Sequence, residues 1–380
     1  MADRLQEAMD RLRLIESPSL PILSVYLSLA PERIERRSIG GRLRDLLEPI
    51  EKLAASGDLD HDSSMSLRAG VRRVLDMSPA FTGELGHGVA VFVCDGLDLE
   101  EHLTMPRRIW DCAVAGPQPY LRPIQAVLDE YRKVAAVVLD ARGAEIVTFH
   151  MGEVLDRQVV EAEELRKSNL SGWYGLEERR HRQHAEEARN HMFREVAERL
   201  DRLCRNSGVD LVLVGGQQEV TNALLSFLDE RVRSITDTFV IDLNTLTPAL
   251  LASRVSEIEE AFERAEETRQ VEEAYAAVSA GDLAVVGIGP VLGAVNRHAV
   301  ARLLLHDGAS LEGSICRSCG VLSLPVKMCL ECGGEVVHLP DLLEALSRSV
   351  VDTGGSVEHV MAPTRLAEDL VAARLRFKIR

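Results

Sequence analysis

Two cysteine pairs constrain this chain more than any other feature. Cys316-Arg-Ser-Cys319-Gly is followed, after nine intervening residues, by Cys329-Leu-Glu-Cys332-Gly-Gly. Each C-x-x-C turn can aim two thiolates at one ion, and two facing turns complete the tetrahedral sulfur shell that zinc accepts in closed structural sites. The glycines after Cys319 and Cys332 permit the tight turn that brings backbone amides toward sulfur. A structural zinc held by Cys316, Cys319, Cys329 and Cys332 is therefore the leading reading, and a redox pair, an iron centre or unmetallated thiols are the weaker ones. Four thiolates leave no position for water, so the site is expected to hold the fold rather than do chemistry.

The chain is long enough for two or three domains at 380 residues, and its 46 % hydrophobic and 27 % charged content is that of a globular protein. No run approaches the roughly 20 apolar residues that span a bilayer, and MADRLQEAMDRLRLIE is a charged amphipathic pattern rather than a secretory signal. A cytoplasmic protein without membrane contact is expected. The net charge of −16 argues against indiscriminate coating of nucleic acid but leaves room for a locally basic face. Cys94, Cys112 and Cys204 read as ordinary packing residues.

Strand and helix signals alternate along the chain, which predicts a mixed α/β fold class in three domains: 1–122, 123–246 and 247–380, the last with a zinc-ribbon minidomain at about 312–337. In the first, strands are expected at Ile22–Leu29 and His87–Cys94, with helices around Arg42–Ala55 and Met65–Met77. The turn-rich GPQPYLRP opens the second, which continues with strands at Ala135–Ala141 and Ala144–His150, a long helix from about Glu177 to Cys204, and an apolar strand, Asp210–Val214. Helices are expected at Gln218–Arg231 and Thr247–Val278. The latter carries a stripe of Val255, Ile258, Phe262, Ala265, Tyr275 and Val278, which leaves its eight glutamates as a solvated face. The third domain reads strand Leu283–Ile288, helix Val291–His298, strand Ala299–His306, the cysteine block, helix Pro340–Val351 and strand Gly355–Met361.

Just before the long middle helix runs LRKSNLSGWYGL. From Leu165 to His184 there are five basic and two acidic residues, a local +3. Gly172, Trp173, Tyr174, Arg179, Arg180, Arg182 and Gln183 form the candidate RNA-binding set: an aromatic ring among glycines can stack on a base while guanidinium groups meet phosphate. A loop capped by a salt-bridged helix accounts for the same residues without a ligand. His181, His184 and His191 lack an H-E-x-x-H pattern or an obvious third ligand, which disfavours a histidine metal site. Gly215-Gly216-Gln217 follows directly on an apolar strand and precedes a helix, so its glycines read as a strand-to-helix turn rather than a catalytic tip.

In this order the signals resemble the archaeal and eukaryotic class-1 release factors and Pelota, and especially their bacterial, Balon-like hibernation-type relatives. PILSVYLSL resembles the first strand of the bacterial members, AAVVLDARGAEIVTFHMGEV the opening hairpin of the family's middle domain, and GVDLVLVGG its later central strand. AVSAGDLAVVGIGPVLGAVNRHAVARLLLHDG resembles the start of the third domain, DLLEALSRSVVDTGGSVEHV its closing helix and strand, and LVAARLRFKI its last strand. The family's loop before the long helix carries Gly-Gly-Gln in true release factors. Here the matching place reads Ser171-Gly172-Trp173-Tyr174-Gly175, a departure shared with the hibernation-type members.

The resemblance implies a translation factor that enters the ribosomal A site as a transfer-RNA mimic, with no catalytic residue and without peptidyl-tRNA hydrolysis. Hibernation, rescue or quality control would be its setting, and ribosomal RNA its partner. By the same resemblance a translational GTPase is a possible second partner, and the chain is a monomer. An enzymatic alternative is a peptidyl-tRNA hydrolase or release-type rescue factor in which Gln183 or a loop residue positions water. A second alternative is a protein-interaction module without ribosome binding.

Overall fold

A computed structural model describes the chain except for residues 1, 18, 30–37, 84–86, 108, 141, 162–175, 244 and 380, and except for the side chains of 2–3, 38, 82–83 and 176–185. The described residues form a mixed α/β fold with four sheets. It clusters into two compact units, one of residues 1–130 with 264–380 and the other of residues 131–263.

The first unit opens with α1 (Ala2–Arg13), β1 (Ile22–Ser28), α2 (Ser38–Ala55), α3 (His61–Met77), β2 (Gly88–Cys94), β3 (Leu99–Met105), β4 (Cys112–Gly116) and α4 (Arg122–Glu130). The strands form an antiparallel sheet in the order β3-β2-β1-β4. Alternate residues Leu23, Val25 and Leu27 of β1 pack against Leu43 and Leu47 of α2 and Val71 and Val74 of α3. Asp60 starts α3 by accepting from the Ser63 amide at 2.8 Å, which satisfies one of the orphan donors of the first turn.

The second unit contains β5 (Val134–Leu139), β6 (Gly143–His150), β7 (Glu153–Glu161), α5 (Leu176–Asn206), β8 (Leu211–Gly216), α6 (Gln218–Leu225), α7 (Glu230–Ser234) and β9 (Thr236–Val240). Its sheet runs β7-β6-β5-β8-β9, with β5, β8 and β9 parallel and the β5-β6-β7 meander antiparallel. Both faces are covered, so β5 and β8 are wholly buried and read as unbroken apolar runs. Met192, Phe193, Val196 and Leu200 of α5 cover one face. Leu251 and Val255 of α8 (Pro248–Ser279) lie against the other.

The remainder of the first unit is β10 (Ala284–Val286), α9 (Ile288–Val295), β11 (Val300–His306), β12 (Gly313–Cys316), β13 (Leu322–Ser323), β14 (Val336–Leu339), α10 (Leu342–Asp352), β15 (Ser356–Val360), α11 (Leu366–Asp369) and β16 (Val371–Leu375). A four-stranded sheet β10-β16-β11-β15 carries the core, and the small sheet β13-β12-β14 carries the cysteines. The first and last stretches meet at Arg122, which is fully buried. Its Nε donates to the Tyr120 hydroxyl at 3.1 Å and lies 3.2 Å from Asp341, and its Nη2 donates to the Ala309 carbonyl. Asp341 accepts from Tyr120 at 2.8 Å while capping α10 through the Leu343 amide at 3.1 Å.

Seven strands were not expected from the sequence: β3, β4, β7 and β9, and the three of the small cysteine-bearing sheet, β12, β13 and β14. They are edge or short strands with weak alternation; β7, for example, is exposed at most positions. The helix expected over Gln218–Arg231 is two helices broken at Ser226–Asp229, where the Asp229 carboxylate caps α7 through the Val232 amide at 2.9 Å. Where a strand through Ile288 and a helix to His298 were expected, Gly287 at φ 84° ends β10 early and α9 begins at Ile288.

The largest correction concerns α8. Of the predicted stripe, Val255 is buried and Ile258, Phe262 and Tyr275 pack partly buried against the cores, but Ala265 is exposed and Val278 is 40 % exposed, and the buried line also takes in Glu259, Glu263, Glu267, Val271 and Ala274. Three of the eight glutamates expected in solvent thus lie inside, at successive i, i+4 positions. Within the second unit Glu259 accepts from the Arg132 amide at 3.0 Å and Glu263 pairs with the Arg132 guanidinium. Within the first, Glu267 accepts from the Met361 and Ala362 amides at 2.9 and 2.6 Å and pairs with Arg264 at 2.9 Å. A buried carboxylate is tolerable only with such partners.

Candidate functional site

The cysteine cluster is built by two matching turns. In the first, β12 delivers Cys316, and the Gly320 amide closes back on the Cys316 carbonyl at 3.0 Å with Gly320 at φ 72°. In the second, the Gly333 amide closes on the Cys329 carbonyl at 3.0 Å with Gly333 at φ 71°. Both glycines hold left-handed backbone that a side chain would strain.

All four sulfur atoms lie within 4.8 Å of one another. Cys316–Cys332 and Cys319–Cys332 are 3.5 Å apart and Cys319–Cys329 3.6 Å. A tetrahedron with metal–sulfur bonds of about 2.3 Å has edges of about 3.8 Å. The separations approach that figure and are far from the roughly 2.05 Å of a disulfide. The donor set therefore fits a zinc-type cation.

Electrostatics agree with the geometry. The Cys319 amide, followed by that of Ser318, draws the Cys316 thiol down to about 6. At Cys332 the Gly334 amide pulls downward, but the neighbouring sulfurs of Cys316, Cys319 and Cys329 push the thiol up to about 12. Crowding four sulfurs makes each successive deprotonation harder, and a divalent cation at their centre removes that opposition. The remaining cysteines behave as packing groups: Cys94 and Cys204 are buried, and burial raises the Cys112 thiol to about 12.

Of the candidate RNA-binding residues, Gly172, Trp173 and Tyr174 lie outside the described residues. Arg179, Arg180, Arg182 and Gln183 fall on the first turns of α5, with only their backbone described, as do His181 and His184. His191 is exposed on the same helix. With 31 residues, α5 is about 46 Å long. Among the described side chains, the first buried one along it is Met192.

Gly215-Gly216-Gln217 sits where the apolar pattern put it. Gly215 and Gly216 are the last residues of β8, and Gln217 occupies the N-cap position of α6 without a side-chain hydrogen bond to the first turn. A Cβ on Gly215 would meet the Phe239 ring at 2.4 Å, and one on Gly216 the Leu139 carbonyl oxygen at 2.5 Å. Close packing in the sheet accounts for both glycines.

A further polar site was missed by sequence reasoning. Arg107 pairs with Glu130 at 2.8 Å and Arg264 with the same carboxylate at 2.6 Å, with Glu267 next in line. No motif announces this cluster; the one available signal was the i, i+4 spacing of Glu259, Glu263 and Glu267.

The second unit is a parallel-centred sheet with one very long helix over it. Residues 119–260 match the model of bacterial archaeo-eukaryotic release factor family 10. None of the curated proteins matches the chain. Among solved structures, the archaeal translation termination factor aRF1 is similar at 17 % identity over 99 % of this chain and 98 % of its own, with a TM-score of 0.29. A ribosome-bound archaeal Pelota, solved with ABCE1, gives 15 % identity over 100 % and 95 %, with a TM-score of 0.44. Dom34 of S. cerevisiae gives 14 % identity over 77 % and 79 %, with a TM-score of 0.41. No described helix is long and apolar enough to cross a membrane.

Proposed function

We infer that the chain is a ribosome-binding translation factor of the hibernation, rescue or quality-control kind, entering the A site as a transfer-RNA mimic and leaving the peptidyl-tRNA ester intact. The observation that carries this reading is the family match over residues 119–260, within which the sequence ahead of α5 has no Gly-Gly-Gln. The chain's single Gly-Gly-Gln is built into the end of β8, where its glycines serve packing. Trp173 would stack on ribosomal RNA, flanked by Gly172 and Tyr174, while Arg179, Arg180 and Arg182 meet phosphate and Gln183 adds a polar contact.

In this reading the chain works as a monomer in three modules, 1–122, 123–246 and 247–380. The first faces the decoding centre, and the third, propped by a zinc in its cysteine minidomain, offers a surface to a translational GTPase. The test is competition on purified ribosomes. The chain should displace A-site transfer RNA while releasing no peptide from peptidyl-tRNA complexes. Peptide release would transfer the reading to a hydrolase using Gln183, and failure to compete would remove the A site from it.

A further inference from the structure

The end of the β10-β16-β11-β15 sheet at which β16 finishes carries a concentration of positive charge that the −16 net charge of the chain does not lead one to expect. Arg302 of β11 and Arg374 of β16 are directly opposed cross-strand partners, a like-charge arrangement that works against the fold. The chain then continues Arg376-Phe377-Lys378, all three exposed, with Phe377 50 % exposed.

The polar contacts of these cations are sparse. Arg302 reaches the Ser356 hydroxyl at 3.4 Å, and Lys378 the Gly281 carbonyl at 3.3 Å. Among the described residues none of Arg302, Arg374, Arg376 and Lys378 has an ion-pair partner. In the chain, Asp282 precedes β10, Glu358 lies on β15 with an interaction of its own, and Asp352 is held by Arg13 at 2.9 Å.

Four cations without counterions, two of them set against each other, ask for an external anion. An exposed ring between Arg376 and Lys378 adds a flat apolar face, which an acidic protein segment does not need and an unpaired base does. We propose that this rim is an RNA-binding surface: Arg302, Arg374, Arg376 and Lys378 hold consecutive phosphates of a single-stranded segment and a base stacks on Phe377. It involves none of the residues of the candidate set at 172–183, and its test does not depend on ribosome binding.

The test is fluorescence anisotropy of a labelled uridine 12-mer at about 50 mM salt. It is run with the full chain, in wild-type and Trp173→Ala backgrounds, against a glutamate 12-mer peptide. Arg374→Ala with Arg376→Ala should lower RNA affinity at least about tenfold and reduce the slope of log affinity against log salt by about 1.4, the value for two phosphates on a single strand. Phe377→Ala should cost about fivefold or more with little change in that slope. Arg302→Glu should weaken RNA binding while raising the melting temperature, because it turns a repelling cross-strand pair into an attracting one. Wild type that ignores the RNA, variants that bind it as well as wild type, or tighter capture of the glutamate peptide would each overturn the proposal.

Discussion

The cysteine turns and the middle of α8 both bring ionisable groups together, and they do so in opposite ways. In the turns, four thiols come from one short stretch, and each pair is positioned by its own backbone. In α8, Glu259, Glu263 and Glu267 come from one helix, but what neutralises them comes mostly from elsewhere: Arg132 lies 131 residues from Glu263, and the Ala362 amide 95 from Glu267. The first arrangement calls for a cation from outside the chain, whereas the second is complete within it. Local spacing therefore announces a metal site, while buried carboxylates supplied at long range leave almost no trace in sequence.

The largest effect should come from breaking the turns. Zinc binding in small thiolate sites is worth roughly 10–16 kcal/mol of apparent free energy. The protein should carry one zinc per chain by metal analysis, and Cys316→Ser with Cys332→Ser should lose it and open residues 312–337 to protease. A metal-free wild type that resists protease equally well would erase the contrast with α8.

Next comes Arg122, where removal of one partner leaves Asp341 buried without its cation. Arg122→Ala should cost roughly 3–5 kcal/mol of stability, read by denaturant unfolding. A loss no larger than that of a surface salt bridge would mean that the Tyr120 hydroxyl and the Leu343 amide hold the Asp341 carboxylate without help from the guanidinium.

Glu267 sharpens the comparison through pH. Burial raises its carboxyl from 4.5 to about 6, against the pull of the Ala362 amide and Arg264. The folded state thus holds this proton more tightly than the unfolded chain, so the stabilisation from protonation is full below about pH 4.5 and is lost as pH rises through 6. The stability of wild type relative to Glu267→Gln should fall by about 2 kcal/mol between those limits. A difference that does not change with pH would show that the surrounding donors fully offset burial.

The smallest effect on stability should be at Trp173. Trp173→Ala should weaken ribosome association by roughly 1–3 kcal/mol with little shift in melting temperature. Equal losses in both would assign the ring to packing.

Much of the fold was legible because apolar periodicity is a local property. Met192, Val196 and Leu200 recur at helical spacing and do face the sheet, and the unbroken apolar run of β8 is buried on both sides. The sulfur cluster was legible for the same reason. The buried glutamates of α8 were not, because periodicity assigns glutamate to solvent, whereas arginines and amides distant in sequence reverse that assignment. The edge strands β7 and β9 were hidden by their exposure, which removes the apolar signal.

Sedimentation of the chain with purified ribosomes through a sucrose cushion at low salt, from growing and from starved cells, tests the ribosomal reading most directly. The chain should pellet with the particles, and the Trp173→Ala variant should be depleted from the pellet. A chain that stays in the supernatant with subunits and intact particles alike would contradict it.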